Sequence, residues 1–542
     1  MKTDSKIVLG VAMMLIAGGF LGIIVTSDNE LSAADLPSDA IAVSTPADLA
    51  RIGKNIDYGG YLWSPNAYYY IANDITLTGK NNFVPIGTEA VPFNGTIDGR
   101  GNTISGMNMD GEAHRLALIA TAANVTIKDL TIDKFSVVSD SALATYSSGF
   151  ISNTNANAVI TVTGCAFTNS VIDIRSPNSA ASGFVTHSGT NATVTVSDCW
   201  SNSNISVNST ANQTKAGGIV GSVTTANVSN CYNTGNITIT NTDAAYNSLA
   251  GGIAAALSAG TVSECFNTGT VSADVSAAGT SSFLGGIAGH TTGIATIKDC
   301  YNTGDIVNIN ASTAEGSVYV VSGGIAGYAQ SGNLSIINCY SVGSISDTSD
   351  RTIVTGGIIG SILGGGKIVN SYYLAGMISK NGVIAPDLMY KDGTPTVDGT
   401  SDPARLSFQS SGAKTAEQMT APLTSMQAGI SVFYTGTTTA DSTAITGWDF
   451  EETWTTNANV NGGFPTLVNT VAYAADADAD EGKEWDNIVD MIVENIVVVV
   501  FGLIMLAGVA AYALGLRRPL VVIVTIASLV IAVAAAWLGG LF

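Results

Sequence analysis

The 542-residue sequence predicts an all-β fold: a right-handed parallel β-helix, or solenoid, of about ten coils. An N-terminal signal or anchor helix precedes it, and a C-terminal transmembrane helical hairpin follows it. Three observations carry the β-helix. A glycine ahead of an apolar anchor recurs at Gly149, Gly183, Gly218, Gly252, Gly286, Gly324 and Gly357, with gaps of 34, 35, 34, 34, 38 and 33 residues. All six cysteines, Cys165, Cys199, Cys231, Cys265, Cys300 and Cys339, keep the same beat, and Ser371 takes their slot in the seventh unit. The intervening runs, such as GGIVGSV, ANVSNCYNTG and NITIT, are short and bounded by Gly and Asn, which marks strands. No window between residues 60 and 380 carries a helical apolar stripe.

A unit of ~34 residues with three short strands fits one winding of a solenoid, whereas a propeller blade needs ~40–45 residues and four strands. One winding cannot bury its inner face alone, so windings stack. Equivalent residues then form files spaced ~4.8 Å along the axis. The cysteines become a structural file of small, soft side chains in a narrow core. Free thiols fit such a file. Disulfides between adjacent windings are the alternative outside the cytoplasm, although parallel side chains strain the bridge.

Alternation sends the residues after the cysteines to the opposite side of the strand. Trp200, Tyr232, Phe266, Tyr301, Tyr340 and Tyr372 therefore form an aromatic column. Flat rings along a groove can stack on sugars, which makes the column the candidate ligand site. The competing reading is that the rings stack on one another and stiffen a corner. Asn233, Asn267 and Asn302 should stack at the next corner, with Gly235, Gly269 and Gly304 in conformations that other residues resist.

The ends differ from the middle. Residues 1–34 hold a basic start and an apolar run, Ile7 to Val25, a cleavable signal peptide or an uncleaved signal anchor. Residues 35–148 form N-terminal coils, 149–380 the regular repeats, 381–470 a closing segment and 471–495 an acidic juxtamembrane linker. Within 496–542, two apolar stretches are each long enough to span a bilayer, separated by Arg517, Arg518 and Pro519. The arginines, with Lys2 and Lys6, place the turn in the cytoplasm and residues 35–490 outside. The linker sequence DADADEGKEWD has Gly482 one place too late for an EF-hand loop. Sequons such as Asn191, Asn227 and Asn333 permit glycosylation.

Charged residues make up 12% of the chain and the formal net charge is -21, which argues against a nucleic-acid partner. A zinc peptidase needs H-E-x-x-H, and the three histidines, His114, His187 and His290, lie far apart with no shared file position. No nucleophile elbow or Walker loop is present. Glu264 and Asp299 precede cysteines in adjacent windings at the ~5 Å separation of a retaining glycosidase, a spacing any stacked file produces. The sequence thus points to no catalytic residue, no metal site and no cofactor.

The repeat also resembles a known family. GG-I-V/A-G followed by N-C-Y-N-T-G is similar to the GLUG-type repeat of bacterial and archaeal surface proteins. PADLARIGKN, YYYIANDITL and FVPIGTEAVPFNGTIDGRGNTISGM resemble the opening coils of those proteins. KTAEQMT, GWDFEETW and NGGFPTL resemble their closing segment, so the likeness runs over residues 44–468. It implies a surface-exposed adhesive or structural role; some members accompany IgA-specific metallopeptidases. The expectation is a membrane-anchored cell-surface protein for adhesion or envelope structure, with a glycan or a surface protein as ligand. A polysaccharide lyase or hydrolase using Glu264 and Asp299 is one alternative, and a self-associating envelope component is another.

Overall fold

The computed structural model describes residues 36–110, 114–209, 213–242, 247–276, 279–311, 318–384, 391–392, 406–409, 411–420, 448–450, 452–456 and 461–468. One regular winding shows the plan. It begins with the strand Ser248–Gly251, turns at Gly252 and Ile253, and runs along Ala254–Ser263. A corner at Glu264 and Cys265 leads to the two-residue strand Phe266–Asn267, and a glycine-containing turn leads to Val271–Val275. Each segment pairs in parallel with its equivalents in the windings before and after, for example Val262 with Val228 and Ile297.

The stacked segments form four faces: a broad face of 19 strands, a ring face of 11, a third face of 10 and a fourth of 8. Among the described residues eight windings therefore carry all four faces, fewer than the ten or so the sequence suggests. A winding also has more than three strands, because the glycine-led run opens the broad face while the residues before it make the fourth face. In most windings the broad face is two short strands, as in Val185–His187 and Thr193–Ser197; in two it is one continuous ten-residue strand, Val220–Ser229 and Ala254–Ser263. In the winding with the 38-residue gap, Ile306–Asn310 and Tyr319–Gly323 are strands.

The lumen is filled by files. Ile97, Ile127, Val162, Val196, Val228, Val262, Ile297, Ile336 and Ile368 stand in register, each at most 1% exposed. β-Branched side chains suit this position, since they are stiff and pack well on a pleated surface.

The corner before each cysteine is left-handed: Asp198, Asn230, Glu264, Asp299 and Asn338 have φ between 51° and 55°. Asn and Asp tolerate that region best among residues with a side chain, which accounts for their dominance in the slot. Gly235, Gly269 and Gly304 are not left-handed, contrary to the expectation. They are needed for close approach: a Cβ on Gly269 would lie 2.0 Å from the Gly235 carbonyl oxygen, and one on Gly304 2.0 Å from that of Gly269.

At the first winding, PADLARIGKN forms a short helix, Pro46–Leu49, with the amide of Asp48 donating to the Thr45 hydroxyl at 3.1 Å. The chain divides into two compact units. The first comprises residues 1–418 and 435–447, and the second residues 419–434 and 448–542. In the second, Trp454–Thr455 pairs antiparallel with Thr466–Leu467, and Trp454 is fully buried with the Trp448 ring 4.4 Å away. Among the described residues no helix is long and apolar enough to cross a membrane. The apolar run 7–25, the linker 471–495 and the hairpin 496–542 lie outside the described residues.

Candidate functional site

The sequence-derived columns exist, and most face inward or are covered. All six cysteines are free and buried. Each thiol donates to the carbonyl two residues earlier, as Cys265 does to Ser263 at 3.1 Å and Cys300 to Lys298 at 3.1 Å. Burial pushes the thiols of Cys199, Cys265, Cys300 and Cys339 well above their ordinary range, so they are poor nucleophiles.

Asn233, Asn267 and Asn302 form a fully buried amide ladder. Each donates to the glycine carbonyl two residues on, at 2.7, 2.7 and 2.8 Å. Asn233 and Asn267 also donate to the next carboxamide, both at 2.9 Å. The glycine ahead of the apolar anchor makes room: a Cβ on Gly252 would lie 2.3 Å from Cγ of Asn267, and one on Gly286 equally close to Cγ of Asn302.

The aromatic rings stack face to face: Trp200 on Tyr232 at 5.6 Å, then Tyr232 on Phe266 at 4.7, Phe266 on Tyr301 at 4.8 and Tyr301 on Tyr340 at 5.2. Tyr372 continues the file by register. Trp200 is part-exposed, while Tyr232, Phe266, Tyr301, Tyr340 and Tyr372 are buried. Stacked faces are already occupied.

The Glu264 and Asp299 slot is a turn position with amide partners. Asn230 donates to Asp198 at 2.6 Å and Asn338 to Asp299 at 3.0 Å, while Lys298 lies 3.8 Å from Asp299. These contacts hold the left-handed corners in line.

Two outward features escape a reading by motif. On the broad face, Tyr68, Thr96, Thr126, Thr161, Thr195, Asn227, Thr261, Thr296 and Ser335 stand in register, one per winding. From Thr96 on, every member carries a hydroxyl or carboxamide and is at least part-exposed. Among the described residues the hydroxyls of Thr96, Thr126, Thr161 and Thr195 make no hydrogen bond. The neighbouring file behaves differently, with Thr163 and Ser197 bonded to each other at 2.9 Å. At the N-terminal end the hydroxyl file opens into a cleft of about 440 Å³ lined by Tyr68, Thr96, Thr126, Thr161 and the carboxamides of Asn66, Asn94 and Asn124. Asn94 donates to Asn66 at 3.0 Å, and Asp98 accepts from Tyr68 at 2.7 Å beside Lys128 at 3.0 Å.

The second feature corrects the reading of the histidines. His187 and His290 do share a file, three windings apart, through Ser222 and Ala256. Their separation of 103 residues is three beats of the repeat. The His187 ring lies on Tyr146 at 4.8 Å and 7°, and that of His290 on Tyr328 at 5.5 Å. Burial lowers both imidazoles to about 4, with Lys215 adding to the effect, so both are neutral at pH 7. Among the described residues no cluster of side chains is arranged to hold a metal ion.

This geometry defines a parallel β-solenoid repeat protein. The GLUG motif matches residues 212–240 and 282–307, which hold the ring-face and third-face corners of two windings. The chain is thus a β-helical protein carrying GLUG repeats. It is similar to a solved structure from Bacteroides ovatus provisionally named an immunoglobulin A1 protease, at 15% identity, covering 79% of this chain and 92% of that chain, with a TM-score of 0.38. That likeness carries no functional argument. No curated protein matches the chain.

Proposed function

We propose that the chain is a membrane-anchored cell-surface protein that serves adhesion or envelope structure by presenting the lateral faces of its solenoid to glycans. The observation that supports this most is the file of unbonded hydroxyls along the broad face, ending in an open cleft. Groups that are regularly spaced, rigidly held and still able to donate and accept suit a repeating polar polymer. The rise per winding, ~4.8 Å, is close to the length one sugar unit adds to an extended chain. The apolar runs at 7–25 and 496–541 are the basis for the anchor.

The test uses cells expressing the full chain. External protease should remove the solenoid from intact cells, and those cells should bind immobilised neutral polysaccharide. The triple substitution Thr126→Val, Thr161→Val and Thr195→Val keeps the β-branched shape and removes three hydroxyls; binding should fall at least tenfold. A solenoid that stays protected on intact cells, or binding unchanged by the triple substitution, would sink the proposal.

A further inference from the structure

Four large apolar side chains of the first winding lie open to solvent within seven positions: Ile56, Tyr58, Tyr61 and Leu62, at 43, 50, 45 and 50%. Among the described residues no other aromatic ring is as exposed as these two tyrosines. They belong to a separate two-stranded hairpin, Asp57–Tyr58 with Tyr61–Leu62. It sits between Ile41–Val43 and Tyr68–Ile71, which pair with each other. Gly59 and Gly60 turn it with φ of 64° and 85°, the left-handed pair that a two-residue hairpin turn requires. A Cβ on either would meet nothing within 4 Å, so the tip packs on nothing. The base is pinned instead. Trp63 is buried, its Nε1 donates to the Tyr58 carbonyl at 3.1 Å, and its ring lies 5.6 Å from that of Tyr69.

A clustered apolar patch held out on a rigid base marks a contact surface, and two strands alone gain little from folding in water. Charge and reach both point to a bilayer. Between residues 46 and 66 the charged side chains are Asp48, Arg51, Lys54 and Asp57, which cancel in a chain of net charge -21. Arg51 is held by Asp48 at 2.7 Å and lies 3.7 Å over the Tyr58 ring. The patch is therefore free of the repulsion that the rest of the chain would meet at an anionic surface. Leu36, where the described fold begins, follows the end of the apolar run at Val25 by 11 positions. Eleven residues span at most about 40 Å, so an anchor at 7–25 keeps the first winding close to the lipid. Tyrosine, with an apolar body and a polar tip, is enriched at that boundary.

We infer that the Asp57–Leu62 hairpin is a membrane-interface contact that seats Tyr58, Tyr61 and Leu62 among the lipid headgroups. This contact rests on residues 7–25 being an anchor that stays in the chain, and it is independent of glycan binding. It gives the first winding a second point of attachment, so that the winding is fixed against the bilayer and does not swing on its tether. The attraction is apolar, and salt leaves it in place.

The experiment reconstitutes the purified full-length chain in phosphatidylcholine nanodiscs. Mass spectrometry should first show residues 1–25 retained. In Tyr61→Trp the added emission should shift to the blue, and lipid brominated near the headgroup end of the acyl chain should quench at least half of it, at high salt as at low. Tyr58→Trp gives a second reading if the first variant fails to fold. Ile294→Trp, at a position 71% exposed in a later winding, should stay unquenched. Quenching of the wild type through Trp537, in the apolar run 520–541, reports separately on insertion of the chain. Wild-type quenching with both tyrosine variants unquenched would overturn the contact and leave the membrane reading standing; no quenching in any chain would sink both. Removal of residues 1–25, equal quenching in Ile294→Trp, or a blue shift that grows with protein concentration in detergent, the mark of a second copy on the patch, would also overturn it.

Discussion

The N-terminal windings and the repeat windings fill the same lumen in opposite ways. At the inward position of the ring face, the N-terminal windings place Ile104 and Ile132, the first repeat winding still places Phe167, and later ones place Asn233, Asn267 and Asn302. The corner that holds Leu130 early holds cysteine later. An apolar lumen is additive and forgiving, since each side chain is stabilised by area removed from water. A carboxamide lumen is conditional. Each amide is satisfied by the winding next to it, so the motif must repeat without interruption or leave a buried polar group unpaired. Asn233 shows the rule at its end: its carbonyl oxygen has no partner, because Ser201 stands below it. Strict repetition of sequence in the middle of the chain, and its looseness before residue 149, follow from that difference.

The largest effect expected from breaking the comparison is pH-dependent. In the polar-lumen half, Asp347 is fully buried and accepts from Ser322 at 2.7 Å and from Thr355. Burial pushes its carboxyl up to about 7 from an ordinary 3.8. The folded state therefore holds the proton more tightly than the unfolded one, and stability should fall as pH rises from about 4 to about 7, then level off. Lys380, its register neighbour, offsets part of this. Denaturant melts of Asp347→Asn should show that slope removed, with a gain of up to about 4 kcal/mol at pH 8. An unchanged slope would show that the carboxyl is not the group responsible.

Next in size is the ladder itself. Asn267→Leu should cost about 3 kcal/mol or more, since it strands two carboxamides and crowds Gly252. Ile132→Leu in the apolar windings should cost less than about 1.5 kcal/mol. Equal costs in equilibrium unfolding would erase the distinction between the two lumens. Gly252→Ala should cost about 2 kcal/mol, because the new methyl meets a carbonyl oxygen at 2.2 Å and Asn267 at 2.3 Å. The smallest effect belongs outside. Thr161→Val on the hydroxyl file should shift stability by no more than about 0.5 kcal/mol, so any binding it loses reports on contact with ligand and not on folding.

Much of this was written plainly along the chain. The glycine and cysteine beat dictated the solenoid, the stacking of rings and amides, and the inward position of the sulfurs, because a parallel ladder turns periodicity into adjacency. The same beat held the alignment of His187 with His290, since each stands four residues after a repeat glycine, Gly183 and Gly286. The Asn and Asp residues ahead of the cysteines read equally well as a solvated column and as left-handed corners, and only backbone angles separate those readings.

Tertiary structure decided what the beat left open. It set four faces and eight full windings, since the break between faces depends on where the backbone bends and not on residue type. It covered the aromatic column and left the threonine file unbonded, because exposure is a property of what lies against a side chain. It also brought Arg115, His187 and Lys215 to one seam across 100 residues of sequence, which no local pattern encodes: their neighbourhood is made by register between windings, and register is fixed only when every inward side chain has found its level in the lumen.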